Sequence, residues 1–312
     1  MINNRKAAII GTGFVGASTA YALSQKGLYN EIVLIDYNKE KAEGEAMDIS
    51  HGIPYSSPME IWSGDYADAK DAGIAIVTAG AAQKPGETRL DLINKNAAIM
   101  RGVIRSLVDG GFEGILLIVA NPVDVLTHVA LKESGFPASR VIGSGTVLDT
   151  ARYKYLISER LKVDAKNVHG IIIGEHGDSE FPVWSITNIG GIPLNQFAEM
   201  RGRFDHEKCM QEIYEQVRDS AYEIIKRKGA TYYGVATAVT HICDVICKDR
   251  HMMLPVSCEL DGQYGLEGLA LSVPAIVGRE GIEVVLDYPL SEEEKKRLHA
   301  SAETLKSIID TL

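Results

Sequence analysis

Short apolar runs alternate with longer amphipathic segments through the first half of the chain. The runs are rich in isoleucine and valine, which predicts short β-strands at Lys6–Ile10, Glu31–Ile35, Ile74–Thr78 and Ile115–Ala120. The amphipathic segments predict helices at Phe14–Lys26, Lys39–Ser50 and Leu90–Leu107. Because such alternation requires crossover connections, we expect an α/β fold with a doubly wound parallel sheet of Rossmann type, covered by helices on both faces.

Beyond about residue 143 the order of elements changes, and helices are mixed with hairpin-like strands. The predicted helices there are Val147–Leu161, His206–Lys226, Tyr233–Cys247 and a last one that begins at a capping box of Ser291 and Glu294. The predicted strands are Val168–Ile173, Phe181–Ile189, Met252–Cys258 and Leu266–Val273. We therefore expect two domains, the Rossmann-type domain over residues 1–143 and an α+β domain over residues 144–312.

Composition and charge narrow the class of protein. With 46% hydrophobic and 24% charged residues, the chain has the balance of an ordinary soluble globular protein. A formal net charge of −10 argues against nucleic acid as a partner, because neutralising phosphates requires a basic surface. Since no apolar stretch is long enough to span a bilayer and the first residues lack a secretory pattern, we expect a cytoplasmic protein without a membrane partner.

The cysteines Cys209, Cys243, Cys247 and Cys258 are too few for a disulfide framework in a chain of 312 residues, which fits a reducing compartment. Cys243 and Cys247 are four residues apart in a predicted helix near His241, so a metal site is conceivable. Without a CxxC pair, ordinary thiols near the core are the better interpretation, and no metal is expected.

A glycine-rich motif, Gly11-Thr12-Gly13-Phe14-Val15-Gly16, directly follows the first predicted strand and opens the first predicted helix. In such a turn the first glycine allows a tight bend, the second lets the backbone approach a pyrophosphate, and the third lets the helix pack on the strand. Asp36 ends the second strand, where a carboxylate accepts hydrogen bonds from ribose hydroxyls and repels a 2′-phosphate. The first domain is therefore predicted to bind NAD through Gly11, Gly13, Phe14, Val15, Gly16 and Asp36.

Four further polar segments are residues 78–89, 121–124, 143–152 and 174–178. Three of the four lie at or just beyond the carboxyl ends of predicted strands, where open α/β sheets bind their ligands. Together with the glycine motif, and in this order, they make the chain resemble the L-lactate/malate dehydrogenase family over essentially its whole length. The resemblance implies hydride transfer between a nicotinamide and a small 2-hydroxy or 2-oxo acid.

The resemblance implies roles for four charged residues of these segments. His176 corresponds to the acid/base, because the alkoxide left by ketone reduction needs a proton and imidazole titrates near the working pH. Asp149 corresponds to its partner, which fixes the tautomer and stabilises the imidazolium. Arg152 corresponds to the group that binds the substrate carboxylate, and Arg89 to the group that polarises the carbonyl. Plainer interpretations stay open, since Asp149 and Arg152 could form an i,i+3 ion pair and Arg89 could face solvent.

Uncharged residues complete the implied site. Asn121 corresponds to a residue near the carbonyl oxygen and the cofactor, Ser144 to one that orients the nicotinamide amide, and Thr231 to one that lines the substrate pocket. Residues 80–91 correspond to a lid that carries Arg89 over the substrate and expels water.

Gln83 in this lid stands where malate dehydrogenases of the family typically carry arginine. A second substrate carboxylate beside a neutral side chain would lack a counter-charge, which is costly in a closed site. Charge balance therefore favours pyruvate and L-lactate over oxaloacetate and malate, although the adjacent Lys84 is cationic.

Lys154 and His169 fall where bacterial members of the family bind fructose 1,6-bisphosphate through an arginine and a histidine at a subunit interface. Lysine binds phosphate as a point charge but lacks the fork of arginine, so activation by this sugar bisphosphate is an open expectation. The resemblance also implies a homotetramer.

Other functions remain compatible with the sequence. The enzyme could be a malate dehydrogenase, or it could act on a branched 2-hydroxy acid. From a different class, the chain could be an NAD-binding redox sensor without turnover. A sensor needs only the glycine motif, and the set Arg89, Asp149, Arg152 and His176 argues against it.

Overall fold

The computed structural model of the chain describes residues 2–82, 86 and 88–312, without the side chain of Arg89. The helices are α1 (Phe14–Lys26), α2 (Lys39–His51), α3 (Arg89–Asp109), α4 (Val123–Ser134), α5 (Val147–Leu161), α6 (Leu194–Met200), α7 (His206–Lys228), α8 (Tyr233–Cys247) and α9 (Glu292–Ile309). The strands are β1 (Asn3–Ile10), β2 (Glu31–Ile35), β3 (Glu60–Ser63), β4 (Ala72–Val77), β5 (Ile115–Ile118), β6 (Val141–Gly143), β7 (Val168–His169), β8 (Ile172–Ile173), β9 (Phe181–Pro182), β10 (Asn188–Ile189), β11 (Ile192–Pro193), β12 (Met252–Asp261), β13 (Glu267–Gly278) and β14 (Gly281–Val285).

The largest sheet of the described residues has the strand order β14-β13-β12-β6-β5-β4-β1-β2-β3. The strands from β6 to β3 are all parallel, and their order 3-2-1-4-5-6 is that of a doubly wound dinucleotide-binding sheet. The predicted α/β fold is thus confirmed. An antiparallel pairing of Ser257 with Gly143 joins β12, and through it β13 and β14, to the same sheet.

Successive side chains of the central strands pack alternately into two hydrophobic cores, one on each face of the sheet. In β1, Ala7 and Ile9 belong to one buried cluster and Ala8 and Ile10 to the other. Side chains of successive strand residues point to opposite faces, so both faces of this sheet are covered. Double burial explains why these strands are continuous apolar runs rather than alternating ones.

The turn between β1 and α1 is fixed by close backbone contacts. Gly11 has a φ of +98°, and a Cβ there would lie 2.7 Å from the Ala79 nitrogen. A Cβ on Gly16 would lie 1.9 Å from the Gly11 oxygen, so helix and strand approach more closely than any side chain allows. Gly13 differs, because a Cβ there would meet nothing within 4 Å.

The second half has a smaller core of its own, built on α5 and α7. Its buried members include Tyr153, Ile157, Ile172 and Val217. The predicted strand over 168–173 is interrupted because its two halves pair in different sheets, β7 with β10 and β8 with β9. Gly170 lies between them, and a Cβ there would stand 2.8 Å from both Thr187 Oγ1 and the ring of Tyr153. The predicted strand over 181–189 is broken by a 3₁₀ turn at Trp184–Ile186, which lets Trp184 contact the same ring edge-on at 5.1 Å.

Helix α4 was not predicted, since most of its side chains from Val123 to Leu131 are buried and no polar face marks its period. The elements β3, β6, α6, β11 and β14 are also additions to the predicted set. Although α4 is apolar on most sides, it has only 12 residues, and no helix in the described ranges is long and apolar enough to cross a membrane.

We expect Gly16→Ala to destabilise the protein and Gly13→Ala to leave its stability nearly unchanged. The methyl at position 16 meets backbone, which overpacks the helix–strand contact and lowers the free energy of unfolding by about 1–3 kcal/mol. The methyl at position 13 enters open space on a backbone with φ −66°, so a change within about 0.5 kcal/mol is expected. Urea unfolding followed by circular dichroism measures both, and equal stabilities of the two variants would contradict the packing argument.

Candidate active site

The glycine motif, Asp36 and three of the four polar segments lie at the carboxyl ends of the parallel strands, and the fourth segment, residues 174–178, follows β8 in a separate sheet. Gly11 follows β1, Asp36 follows β2, Thr78 follows β4, Asn121 lies just beyond β5 and Ser144 follows β6. The order of strands reverses between β1 and β4, and a crevice forms outside their carboxyl ends at such a switch point.

One cavity at this edge has the features needed for a dinucleotide. About 520 Å³ in volume, it is lined by Gly11, Gly13 and Asp36, together with Tyr37, Lys41, Tyr66 and Val103. Gly13 begins α1 without a side-chain capping bond, so the N–H groups of the first helical turn, at Phe14 and Val15, point outwards. Open space at Gly13 beside a helix N-terminus suits a pyrophosphate, and the residues present therefore fit NAD. Lys41 and Tyr66, on the wall of this cavity, carried no signal in the sequence motif.

Asp36 is held in place by the turn that it faces. Its Oδ2 accepts hydrogen bonds from Thr12 N at 2.6 Å and from Thr12 Oγ1 at 3.0 Å, and its Oδ1 accepts one from Asn38 N at 2.9 Å. Oδ1 retains acceptor capacity for a ribose hydroxyl, whereas Oδ2 already accepts two hydrogen bonds. The Asp36 carboxylate is thus fixed on the wall of the cavity.

The backbone of His176 is anchored to both halves of the chain. Its N–H donates to Asp124 Oδ2 at 2.8 Å, and Asp124 Oδ1 accepts from Ser272 Oγ at 2.9 Å. Asp124 lies on α4 and Ser272 on β13. Asp124 belongs to a segment that was singled out, but its contact with His176 required the tertiary structure and was missed.

The side chains of His176, Asp149 and Arg152 form one connected group. A 2.7 Å hydrogen bond joins His176 Nδ1 to Asp149 Oδ2, and Arg152 Nη1 donates to Asp149 Oδ1 at 2.7 Å. The Asp149 side chain is 2% exposed, so both interactions take place away from solvent. The two interpretations left open for Asp149 therefore coexist, because one carboxylate is both the partner of His176 and the i,i+3 partner of Arg152.

The electrostatic environment favours an ionised pair. Burial alone would lower the pKa of His176, but the Asp149 carboxylate outweighs it, and the pKa of His176 is raised well above its ordinary value. Burial raises the pKa of Asp149, but the charge of His176 and its hydrogen bond outweigh it, and the net shift is downwards. Asp149 is therefore an anion beside an imidazole that readily holds a second proton.

Glu180 is a second buried carboxyl in this group, and no motif in the sequence indicates a role for it. Its Oε2 lies 3.6 Å from His176 Nδ1. Ligand atoms of Asp149, His176 and Glu180 lie within 4.8 Å of one another, as do those of Asp249, His251 and Glu283 at the surface. Arg152 already occupies one oxygen of Asp149, and its positive charge disfavours a metal ion in the first group.

The remaining predicted residues surround this group. Asn121 accepts at its carbonyl oxygen a 2.9 Å hydrogen bond from Asn96, a buried residue that also accepts from Ala81 N at 2.8 Å. Asn96 thus ties the start of the predicted lid to Asn121, a contact that the sequence analysis missed. Ser144 N donates to Ile118 O at 2.8 Å, which links β6 and β5.

Thr231 lies between α7 and α8, next to Tyr232, whose ring stacks on Phe14 of the glycine motif at 5.2 Å. Gln83 and the adjacent Lys84 lie outside the described residues, as does the side chain of Arg89. The backbone of Arg89 opens α3 directly after Thr88, which forms a capping box with Asp91.

Lys154 and His169 line a common cavity of about 460 Å³ between α5 and α8, together with His241. Burial lowers the pKa of Lys154. The structure thus brings together the two residues that were predicted to bind a sugar bisphosphate, at a place separate from the group around His176.

Sequence profiles of one family match nearly the whole chain. The lactate/malate dehydrogenase NAD binding domain matches residues 5–143, and the alpha/beta C-terminal domain of the same family matches residues 146–312. An L-lactate dehydrogenase of Priestia megaterium is 51% identical over 306 residues, covering 98% of this chain and 96% of that protein. Another, of Thermoanaerobacter sp. (strain X514), is 52% identical over 307 residues, covering 98% and 99%.

Solved structures agree with the profiles. A minor L-lactate dehydrogenase from Enterococcus mundtii in its ligands-bound form superposes with a TM-score of 0.96 at 45% identity, covering 99% of this chain and 98% of that one. The ligands-unbound form of that enzyme gives 0.91 at 44% identity, covering 100% and 98%. The resemblance noted in the motifs is thereby confirmed, and this chain belongs to the lactate/malate dehydrogenase family, with an NAD-binding first domain.

Proposed function

We propose that this chain is an L-lactate dehydrogenase, which reduces pyruvate with NADH and reverses the reaction with NAD+. The observation that carries the proposal is the 2.7 Å bond between His176 Nδ1 and the buried Asp149 carboxylate, at the edge of the sheet where the nucleotide turn lies. This bond leaves His176 Nε2 for the substrate. The relatives that are about half identical to this chain over its full length bear the same name.

Each residue of the proposed site would have its own role in the reaction. NADH, when bound along Gly11, Gly13, Gly16 and Asp36, supplies the hydride. Protonated His176 donates its Nε2 proton to the carbonyl oxygen of pyruvate, and Asp149 keeps the imidazolium favourable until that moment.

Other side chains hold the substrate in place for this proton transfer. Arg152 offers a guanidinium fork to the pyruvate carboxylate, and Arg89 stabilises the negative charge that develops on the oxygen. Asn121, Ser144 and Thr231 complete the walls around substrate and nicotinamide.

The two halves of the chain would serve as nucleotide domain and substrate domain, over residues 1–143 and 144–312. Two observations support this division. The parallel strand order ends with β6 at Gly143, and the separate core of the second half begins with Tyr153 of α5. His176, Asp149 and Arg152 lie in the second part, and the glycine turn lies in the first.

Reducing conditions, as in the cytoplasm, are the proposed setting. Cys209, Cys243, Cys247 and Cys258 are free thiols, and Cys243 and Cys258 are buried. Free buried thiols persist where disulfide formation is not favoured.

The first experiment compares pyruvate, oxaloacetate and a branched 2-oxo acid in steady-state oxidation of NADH. Pyruvate is expected to give the highest kcat/KM, because Gln83 offers no charge to a second carboxylate. A higher value for oxaloacetate or the branched acid would replace the proposed substrate, and no turnover with any of them would favour the sensor function.

Gln83→Arg is expected to raise the ratio of kcat/KM for oxaloacetate to that for pyruvate at least about tenfold, which corresponds to 1.4 kcal/mol. Gln25→Arg, at an exposed position of α1, is the matched control and should leave the ratio unchanged.

Asp149→Asn tests the acid/base group. We expect kcat/KM for pyruvate to fall at least about 100-fold, a typical share for general acid–base catalysis. Because Asp149 raises the pKa of His176, its loss should also move the alkaline decline in pyruvate reduction to lower pH.

The control for this variant is Asp244→Asn, which removes another buried aspartate, paired with Lys248 and Arg250 on the outer side of α8. A similar loss in both variants would show that the Asp149 effect is one of stability rather than of proton transfer.

We also propose a homotetramer that is activated by fructose 1,6-bisphosphate. The support is that Lys154 and His169 line one cavity, where an ammonium group and an imidazole can meet a phosphate. Millimolar fructose 1,6-bisphosphate is expected to lower the KM for pyruvate, and Lys154→Ala to abolish that effect. Lys162→Ala, at the exposed end of the same helix, is the control. Kinetics of the unmodified enzyme that do not change with fructose 1,6-bisphosphate would remove the activator from the proposal. The homotetramer is tested separately by size-exclusion chromatography with light scattering.

A further inference from the structure

We infer that Glu180 is a positioning residue for His176, a second buried carboxylate at the Nδ1 edge of the imidazole that prolongs its charged, proton-donating form into alkaline solution. The inference rests on the proposed function, because it concerns the same imidazole. It assigns to Glu180 a part in the reaction that acts through His176, without contact to the substrate.

The backbone dictates that Glu180 and His176 meet. Strands β8 and β9 pair antiparallel, with Ile173 opposite Phe181, so the loop over residues 174–180 leaves the sheet and returns to it. Phe181 is fully buried, and Arg297 of α9 stacks on its ring at 5.1 Å. With both ends of the loop held in this way, Glu180 has little freedom to turn towards solvent.

One oxygen of the Glu180 carboxyl is buried without a hydrogen-bond donor among the described residues. The residue is 3% exposed, and within the described part of the chain its Oε2 has no hydrogen-bond partner. That same oxygen lies 3.6 Å from His176 Nδ1, which Asp149 Oδ2 already contacts at 2.7 Å. A buried ionised oxygen without a donor is unfavourable unless an opposite charge stands beside it. The imidazolium of His176 is the charge that fits.

The charges around the pair decide when Glu180 ionises. Burial and the negative charge of Asp149 raise the pKa of Glu180 to about 7. The other charged or titratable groups nearby are Arg152 on α5, Asp124 on α4, Glu175 and Asp178 in the same loop, and Arg297 on α9.

The effect of Glu180 therefore has a pH window. Below neutrality Glu180 is mostly protonated and adds little to the field at His176. Above neutrality its negative charge opposes loss of the imidazolium proton, since an opposite charge within 4–6 Å favours the charged form. The contribution of Glu180 thus appears in the alkaline pH range in which His176 begins to lose the proton that it donates to pyruvate.

Glu180→Gln keeps size and polarity and removes the charge. The alkaline decline in kcat/KM for pyruvate should move about one pH unit lower, the small end of the effect of one nearby charge. Near pH 6 the variant should stay within about twofold of the unmodified enzyme, and on the alkaline side it should be about tenfold slower, because one pKa unit changes the protonated fraction tenfold. Glu180→Asp retains the charge and should restore most of the alkaline activity.

The matched control is Glu294→Gln, which removes a buried carboxylate that binds Ser185 and caps α9 rather than facing His176. Its pH profile should keep the shape of the unmodified enzyme. An unmoved alkaline decline in Glu180→Gln, or a loss that is equal at every pH, would overturn the inference.

A second measurement keeps the inference separate from the proposed function. Hydrogen exchange at the C2 carbon of each histidine, read by mass spectrometry, gives the pKa of His176 without any substrate. A lower pKa of His176 in Glu180→Gln supports the inference even if pyruvate is not the substrate, and an unchanged one overturns it. If Glu180→Gln does not fold, the same measurement on Asp149→Asn decides, because Glu180 is then the remaining carboxylate beside Nδ1: a His176 pKa at or below the ordinary 6.5 would overturn the inference, and one above it would support it.

Discussion

The buried carboxylate of Asp149 is the interaction on which the active site depends. One oxygen accepts from His176 and the other from Arg152, each at 2.7 Å. A buried carboxylate without partners would be strongly unfavourable, and the two cationic groups offset that free-energy cost. The Asp149 carboxylate in turn orients both groups. His176, the proposed proton donor, and Arg152, the residue proposed to bind the substrate carboxylate, are therefore placed relative to each other by the one carboxylate of Asp149. Since α5 carries both Asp149 and Arg152, their spacing follows from one turn of helix.

The sequence predicted those parts of the fold that local patterns determine. β1, α1 and the glycine turn were located correctly because apolar runs, helical period and required glycines coincide there. Helix α4 escaped prediction because its burial on most sides removes the amphipathic period. The break at Gly170 could not be predicted, since it arises where the chain leaves its pairing with β10 and begins to pair with β9, both of which lie further along the chain.

The same distinction separates the site residues that were predicted from those that were missed. His176, Asp149 and Arg152 could be singled out because a family motif carries them and their chemistry is specific. Asp124 and Glu180 have ordinary side chains in the sequence, and their importance comes from what they face after folding. Asp124 receives the His176 N–H, and Glu180 reaches its Nδ1 edge. A sequence pattern cannot report these contacts: Asp124 is 52 residues from His176 in the chain, and Glu180, although only four residues away, reaches His176 through a loop that has no helical or strand period.

The anchoring of His176 also determines which parts of the site stay fixed during turnover. Its backbone binds Asp124 of the first half, Asp124 binds Ser272 of β13, and Gly174 N donates to Ser272 O at 2.9 Å. These bonds connect His176, the proposed acid/base, to the same sheet that carries the glycine turn. The predicted lid has a different attachment, through the Thr88–Asp91 capping box at the start of α3 and through Asn96 at Ala81. The described ends of the predicted lid are thus attached to α3, whereas His176 and the glycine turn are attached to the sheet.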